Sequence, residues 1–331
     1  YSSIWHAIVG LLVLFAVYRY WFSDTGSGDS FPQKPIQVVV PFNPGGSTDT
    51  FVRIIQKGIK DNNLMPQPLV VVNKEGGGTS IGSSYVADSR NDGYTMLCLH
   101  EALLTAKVSG QSPLGPDAFE KVAATGEIGL SLVISNDSEY TTLPELMAQA
   151  KAEPESVIMG VNLNTPTHYA GIMLENTQPD TRFRFVSSGG GANRLSSLMG
   201  GHLDAAFFSV SEYLRFRENG LKAIAYMGTE RHRGIPDIPT AAELGFPAAN
   251  NNLQYWWFPK GTDPQIVDYF IEVLEQAMET EYVQQRLDEL RILPIVLTGD
   301  DLQQRIGERM EKFTQMTVPN RVELPNVAGW V

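Results

Sequence analysis

A strand that ends in a proline–glycine turn and passes directly into a helix is written between Ile36 and Ile59, and units of this kind recur along the chain. Ile36, Val38, Val39 and Val40 form a short β-branched run of the sort that fills a buried parallel strand. Pro41 and Pro44 stop it, and Gly45 and Gly46 allow a sharp turn. Ser47, Thr48 and Asp49 are good N-cap residues for the apolar-periodic pattern from Phe51 to Ile59. A glycine turn that feeds a helix N-terminus presents unpaired N–H donors and positive partial charge, which suits an anion. Taken alone, the stretch is also compatible with an ordinary βα turn.

Strands are predicted over 36–41, 69–72, 95–99, 130–135, 157–161, 183–186, 205–208, 223–226, 255–258 and 294–297. Helical patterns fall between most of them, over 50–60, 143–151, 168–175, 193–199, 212–218, 263–279 and 300–317. Thr142 and Glu145 have capping-box spacing, and Gly220 stands where a glycine would end the preceding helix. The alternation predicts an α/β architecture with mostly parallel sheets, whose binding loops lie at the carboxyl ends of the strands. Small-polar turns recur at 73–82, 162–168 and 187–193. Several such turns can converge on one cleft, a stronger indication than any one of them.

At 331 residues with 43% hydrophobic content, the chain has room for one large or two medium domains. Its formal net charge of −12, from 25 basic and 37 acidic residues, argues against nucleic acid as a partner. The single cysteine, Cys98, sits in an apolar run and reads as a core residue, which excludes a disulfide framework and a cysteine-rich metal site. The five histidines lack metal-ligand spacing, so no metal is expected. Neither a G-x-S-x-G nucleophile elbow nor a phosphate-binding G-x-x-x-x-G-K-[ST] run occurs. The expectation is therefore a protein without a cofactor and not an enzyme.

Residues 4–22, from Ile4 to Phe22, are apolar for nearly the length needed to cross a bilayer as one helix. Trp5 at one end and Tyr18, Tyr20, Trp21 and Phe22 at the other resemble interfacial belts, and Arg19 can snorkel. No small-residue cleavage site follows, so an uncleaved signal anchor (1–22) is expected rather than a cleaved signal peptide. Residues 23–33 are polar and rich in Gly, Ser and Asp, as a flexible tether would be.

In order, the segments Lys34-Pro-Ile-Gln-Val-Val-Val-Pro-Phe-Asn-Pro-Gly-Gly-Ser-Thr-Asp49, Val71-Val-Asn-Lys-Glu-Gly-Gly-Gly-Thr-Ser-Ile-Gly82 and Asp92-Gly-Tyr-Thr95 form the first half of a set. Pro166-Thr-His168 with Gly171, Leu198-Met-Gly-Gly-His-Leu-Asp204, Ile238-Pro-Thr-Ala-Ala-Glu-Leu-Gly245 and Pro259-Lys-Gly-Thr-Asp-Pro264 complete it. The set resembles the substrate-binding proteins of tripartite tricarboxylate transporters, also called the Bug family, from about Lys34 to about Pro319. The resemblance implies a two-lobed periplasmic-binding-protein (Venus flytrap) fold, with 34–131 and 256–331 in lobe 1 and 132–255 in lobe 2. It further implies a receptor that holds a small carboxylate between the lobes, on the periplasmic side of the bacterial inner membrane, and delivers it to integral membrane permease subunits.

Carried over by position, the resemblance makes Phe42, Gly45, Gly46, Ser47 and Asp49 the first-lobe site. Ser188, Gly189, Gly190, Gly191 and Ala192 become the opposing site, with Thr165, Thr167 and His168 flanking it and Ser209 lining the cleft. Asp49 reads as a helix cap or as a group facing a polar end of the ligand, while His168 and Asp204 read as structural. The chain departs from the family pattern in four places. It has the N-terminal anchor. A Ser187-Ser-Gly-Gly-Gly-Ala turn replaces one with an aromatic and a lysine. Asn162-Leu-Asn-Thr stands in place of a glycine–serine run, and Leu253-Gln-Tyr-Trp-Trp-Phe258 is its crossover strand. These departures keep an alternative open: an accessory subunit of a larger membrane complex, joined through Ile4–Phe22, with Tyr213, Trp256, Trp257 and Trp330 as interface aromatics or, more simply for Trp256 and Trp257, as core.

Overall fold

The computed structural model describes residues 31–316. The expected anchor 1–22, most of the tether, and Trp330 lie outside the described residues. Among those described, no helix is long and apolar enough to cross a membrane.

Eleven strands are described: β1 (Ile36–Val40), β2 (Leu69–Asn73), β3 (Thr95–His100), β4 (Phe119–Ile128), β5 (Leu130–Ser135), β6 (Ile158–Val161), β7 (Arg184–Ser187), β8 (Ala205–Ser209), β9 (Leu221–Tyr226), β10 (Asn252–Pro259) and β11 (Leu293–Leu297). The helices are α1 (Ser47–Asp61), α2 (Ser80–Ala87), α3 (Ala102–Val108), α4 (Leu143–Ala152), α5 (Pro166–Asn176), α6 (Gly191–Met199), α7 (Val210–Phe216), α8 (Pro264–Glu279), α9 (Glu281–Glu289) and α10 (Gly299–Gln315). One six-stranded sheet has the order β11-β4-β10-β3-β1-β2, and one five-stranded sheet the order β7-β6-β8-β5-β9.

Each sheet is built the same way. A parallel trio, β2-β1-β3 or β7-β6-β8, carries the βα units. Antiparallel strands then extend it: β10, β4 and β11 in the first sheet, β5 and β9 in the second. The expectation of mostly parallel sheets is therefore corrected to mixed ones. The strands next to the trios, β10 and β5, enter from the other sheet and so run against them. The chain passes from the first sheet to the second at Gly129 and returns within 227–251, whereas the boundaries read from sequence fall inside β5 and β10.

The β1–α1 unit shows why these elements form. Ile36, Val38, Val39 and Val40 are fully buried, and α1 places Phe51, Val52, Ile54, Ile55 and Ile59 on one buried stripe at helical spacing. Gly58 of α1 lies against α9, and an added Cβ there would meet Val283 Cγ2 at 2.5 Å. Trp256 and Trp257 are wholly buried in β10, which assigns both to the core, and Cys98 is buried with a free thiol. Asp204 accepts the Ile158 N–H at 2.7 Å, a structural bond within the second sheet.

Both crossings lie at the carboxyl ends of the parallel trios, because β4 runs with β3 and β5 begins beside the end of β8 (Leu130↔Ser209). The turns that leave β1 and β7 therefore belong to the side of each sheet that faces the crossing. Helix α10 fastens the same side. Its buried Arg309 donates to Glu101, at the end of β3, and to Asn250 in the returning segment. Asn250 in turn donates to the Pro166 carbonyl at the start of α5 at 2.6 Å. Glu101 is fully buried and also accepts from Tyr255 Oη at 3.4 Å. Removing one partner of such a pair leaves a charge buried alone, which costs roughly 3–5 kcal/mol.

Candidate functional site

The first turn, 41–46, is set by Gly45 at φ +82°, a left-handed conformation that favours glycine, and by Gly46 as the N-cap of α1. Because Gly46 has no side chain, no side-chain oxygen caps the first N–H groups of α1. Asp49 folds back underneath. Its Oδ2 accepts the Gly45 N–H at 2.8 Å and the Arg53 Nε–H at 2.9 Å, and its Oδ1 accepts from the Asn73 amide at 2.9 Å. The same amide donates to the Phe42 carbonyl at 3.0 Å, so Asn73, the last residue of β2, ties both ends of the turn. Burial raises the Asp49 pKa, but Arg53, the Gly45 N–H and Asn73 outweigh it and hold the carboxyl below its ordinary range. Asp49 thus shapes the turn and stays ionised with its oxygens occupied. The Ser47 side chain is exposed at the mouth of the turn.

The second turn leaves β7 at Ser188, whose N–H donates to the Val161 carbonyl at 3.0 Å and whose hydroxyl reaches the same oxygen at 3.3 Å. Gly189 is at φ +67° and Gly190 is the N-cap of α6, again without a side-chain cap. Gly191 is packed against the carboxylate of Glu212, where a Cβ would come within 2.5 Å of Oε1. Ala192 is exposed in the first turn of α6.

Beneath this turn lies a residue that the sequence did not single out. Arg194 is 6% exposed, and its guanidinium rests over the Phe208 ring at 5.3 Å. It donates to the Gly189 carbonyl at 3.1 Å and stands 3.9 Å from Glu212, while its buried Nε–H has no partner among the described residues. Burial pushes its pKa down and Glu212 pushes it back up, with a net lowering from a value far above neutrality, so it stays charged. In sequence the only hint is an arginine three residues after the last glycine of a turn that has lost its lysine.

The flanking residues are engaged locally. The Thr165 hydroxyl donates to the Asn162 carbonyl at 2.7 Å, and the Thr167 hydroxyl accepts the Asn162 N–H at 3.0 Å. His168 Nδ1 accepts the Asn164 N–H at 3.1 Å, and its ring meets Phe185 edge-on at 4.7 Å. Burial lowers the His168 pKa to about 4, so the ring is neutral near pH 7. Ser209 is the N-cap of α7 in a reciprocal capping box with Glu212. Thr165, Thr167, His168 and Ser209 therefore act as fasteners of the βα turns around Ser188–Ala192. A hollow of about 440 Å³ lined by residues such as Lys34, Arg90 and Thr95 lies at the amino ends of β1 and β3, away from these turns. In α/β sheets ligands sit at the carboxyl ends, so the turns and not the hollow are the candidate site.

Residues 51–318 match the family described as tripartite tricarboxylate transporter family receptor. The chain belongs to that family. Protein BugT of Bordetella pertussis is 29% identical over 297 residues, covering 87% of this chain and 89% of that protein. Two solved structures share the fold. MatC from Rhodopseudomonas palustris with bound malate has a TM-score of 0.75 at 24% identity, covering 86% of this chain and 99% of its own. A second R. palustris protein, with adipate, has a TM-score of 0.77 at 23% identity, covering 86% and 98%. The family is one of solute-binding receptors, not of enzymes.

Proposed function

We propose that the chain captures a small carboxylate between the turns that follow β1 and β7 and delivers it to a tripartite tricarboxylate permease. The observation that carries this reading is the pair of glycine-capped helix N-termini, on α1 and α6, with the buried Arg194 guanidinium under the second. Both helix starts favour negative charge, and a buried cation adds to one of them. The malate and adipate held by the two related structures are carboxylates of this size. The N–H groups of Ser47 and Thr48 on one side, and those of Gly191 and Ala192 on the other, are the donors this reading uses. Phe42 and Ser188 wall the turns, and Asp49, His168 and Ser209 position them. Closure of the two sheets about the 129 and 227–251 crossings would bring both turns to one ligand. The apolar run from Ile4 to Phe22 supports attachment to the inner membrane with the receptor on its periplasmic side.

Isothermal titration of the full chain against mono-, di- and tricarboxylates tests the reading, with thermal shift as a second measure. Saturable binding accompanied by a rise in Tm is expected for at least one of them. Absence of binding across the whole panel rejects the proposal.

A further inference from the structure

The layer between α1 and the first sheet is apolar for most of its length and becomes polar at its cleft end. Val38 and Val40 of β1, Met96 and Cys98 of β3, and Trp256 and Phe258 of β10 pack there with Phe51, Val52, Ile55 and Ile59 of α1. Strand side chains alternate between faces, so Gln254, two residues before Trp256, continues this face. So does its directly opposed partner His100, two residues after Cys98. Thr48, one helical turn before Phe51 and Val52, extends the buried stripe of α1 toward the same end, where α1 and β10 both begin.

Thr48 is 1% exposed and Gln254 is 0% exposed. The Thr48 hydroxyl and both amide atoms of Gln254 have no hydrogen-bond partner among the described residues. Folded interiors pair nearly all such atoms, so three unpartnered ones at the cleft end of this layer, one in the first turn of α1 and two near the start of β10, point to a guest that completes them. His100 Nδ1 accepts the Ala102 N–H at 3.1 Å, which leaves Nε2 as the donor of the neutral ring, and the ring stacks on Phe42 at 4.9 Å. The nearby Arg53 is committed to Asp49. The recess therefore offers neutral donors and acceptors, which suit a hydroxyl better than a second carboxylate.

We infer that Gln254, with Thr48 and the His100 ring, forms a polar recess behind the 41–46 turn that reads a hydroxyl group on the ligand, so that the receptor selects hydroxycarboxylates over their deoxy analogues. The inference rests on the carboxylate reading above.

The test is titration of the full chain with pairs that differ by one hydroxyl: lactate and propionate, malate and succinate, citrate and tricarballylate. In at least one pair the hydroxylated member is expected to bind roughly 10–100-fold tighter, because its absence leaves buried polar atoms unpaired. Gln254→Met should bring that ratio close to one, and Thr48→Val should lower it in part. The Tm of unliganded Gln254→Met should not fall, because the change removes unpartnered buried atoms. A purely structural amide would give a lower Tm and an unchanged ratio, which overturns the inference. Equal binding of both members of every pair overturns it too, while leaving the carboxylate reading intact. Failure of all six acids to bind rejects both. Should Gln254→Met not fold, Thr48→Val, which replaces only the hydroxyl, decides: an unchanged ratio counts against the recess.

Discussion

At the 41–46 turn an acid, Asp49, reaches back to the Gly45 N–H, whereas at the 188–190 turn a cation, Arg194, reaches back to the Gly189 carbonyl. The two turns have similar backbones, each with a left-handed glycine followed by a glycine N-cap. Their braces differ in sign. The first consumes one of its own N–H donors and places a paired negative charge in the first turn of α1. The second leaves its donors alone and adds a buried positive charge, 3.9 Å from the Glu212 carboxylate. On the proposed carboxylate reading, the turn that carries the more diagnostic sequence is the weaker anion seat, and the altered turn is the stronger one.

The largest expected effect tests the first half of that contrast. Asp49→Ala strips acceptors from Gly45, Arg53 and Asn73, and should lower stability by about 3 kcal/mol in chemical denaturation. Arg194→Met should weaken carboxylate binding about 30-fold, roughly 2 kcal/mol, with a smaller loss of stability. If Asp49→Ala instead abolished affinity at unchanged stability, the roles assigned to the two turns would be reversed.

Acid acts on a histidine of each half in one pH window and on Asp49 in a lower one. The His168 pKa, about 4 in the folded chain, lies below its unfolded value near 6.5. The unfolded state therefore takes up protons first, and this contribution, full above 6.5, is lost as pH falls from 6.5 toward 4. His168→Gln should remove up to about 1.4 kcal/mol per pH unit of that slope, read from denaturation midpoints between pH 6 and 4.5. His100, also lowered to about 4 by burial, gives the first half the same sign. The depressed carboxyl of Asp49 acts lower, its contribution present above about 3.9 and lost as pH falls through the folded value.

The smallest effects compare the glycines. Gly45→Ala meets no atom within 4 Å and should cost about 1 kcal/mol from its left-handed φ alone. Gly189→Ala also brings a Cβ to 2.9 Å from the Asn193 amide and should cost more. Equal Tm losses for the two would show that the Asn193 side chain swings aside freely.

Much of this was legible in the chain. The β1–α1 unit follows from a β-branched run, two glycines and a 3.6-residue stripe, all of them local signals. Strand β4 was not legible, because Glu120, Lys121 and Glu127 break its apolar pattern and Gly126 bulges out at φ +75° against Phe51 and Ile292. Its burial comes from β10 and β11, which are distant in sequence. Helices α2, α3 and α9 were missed as short segments that tertiary packing stabilises. The site divides in the same way: glycine turns show in sequence, but their braces do not. Arg194 is buried only because Phe208, two strands away from β7 in the sheet, is placed beneath it. Gln254 did leave a trace, as a polar residue inside the apolar run 253–258.

The double crossing also dictates an order of assembly. All five strands of the second sheet lie in one uninterrupted stretch from Leu130 to Tyr226. The first sheet lacks its interior strand β10 until much later, and Glu101 waits for a partner 208 residues downstream. During synthesis from the N-terminus the second sheet can close on itself, while β3 still presents an unpaired edge. A half-made chain is therefore most exposed to misassociation along β3, and that exposure ends only when β10 pairs with it.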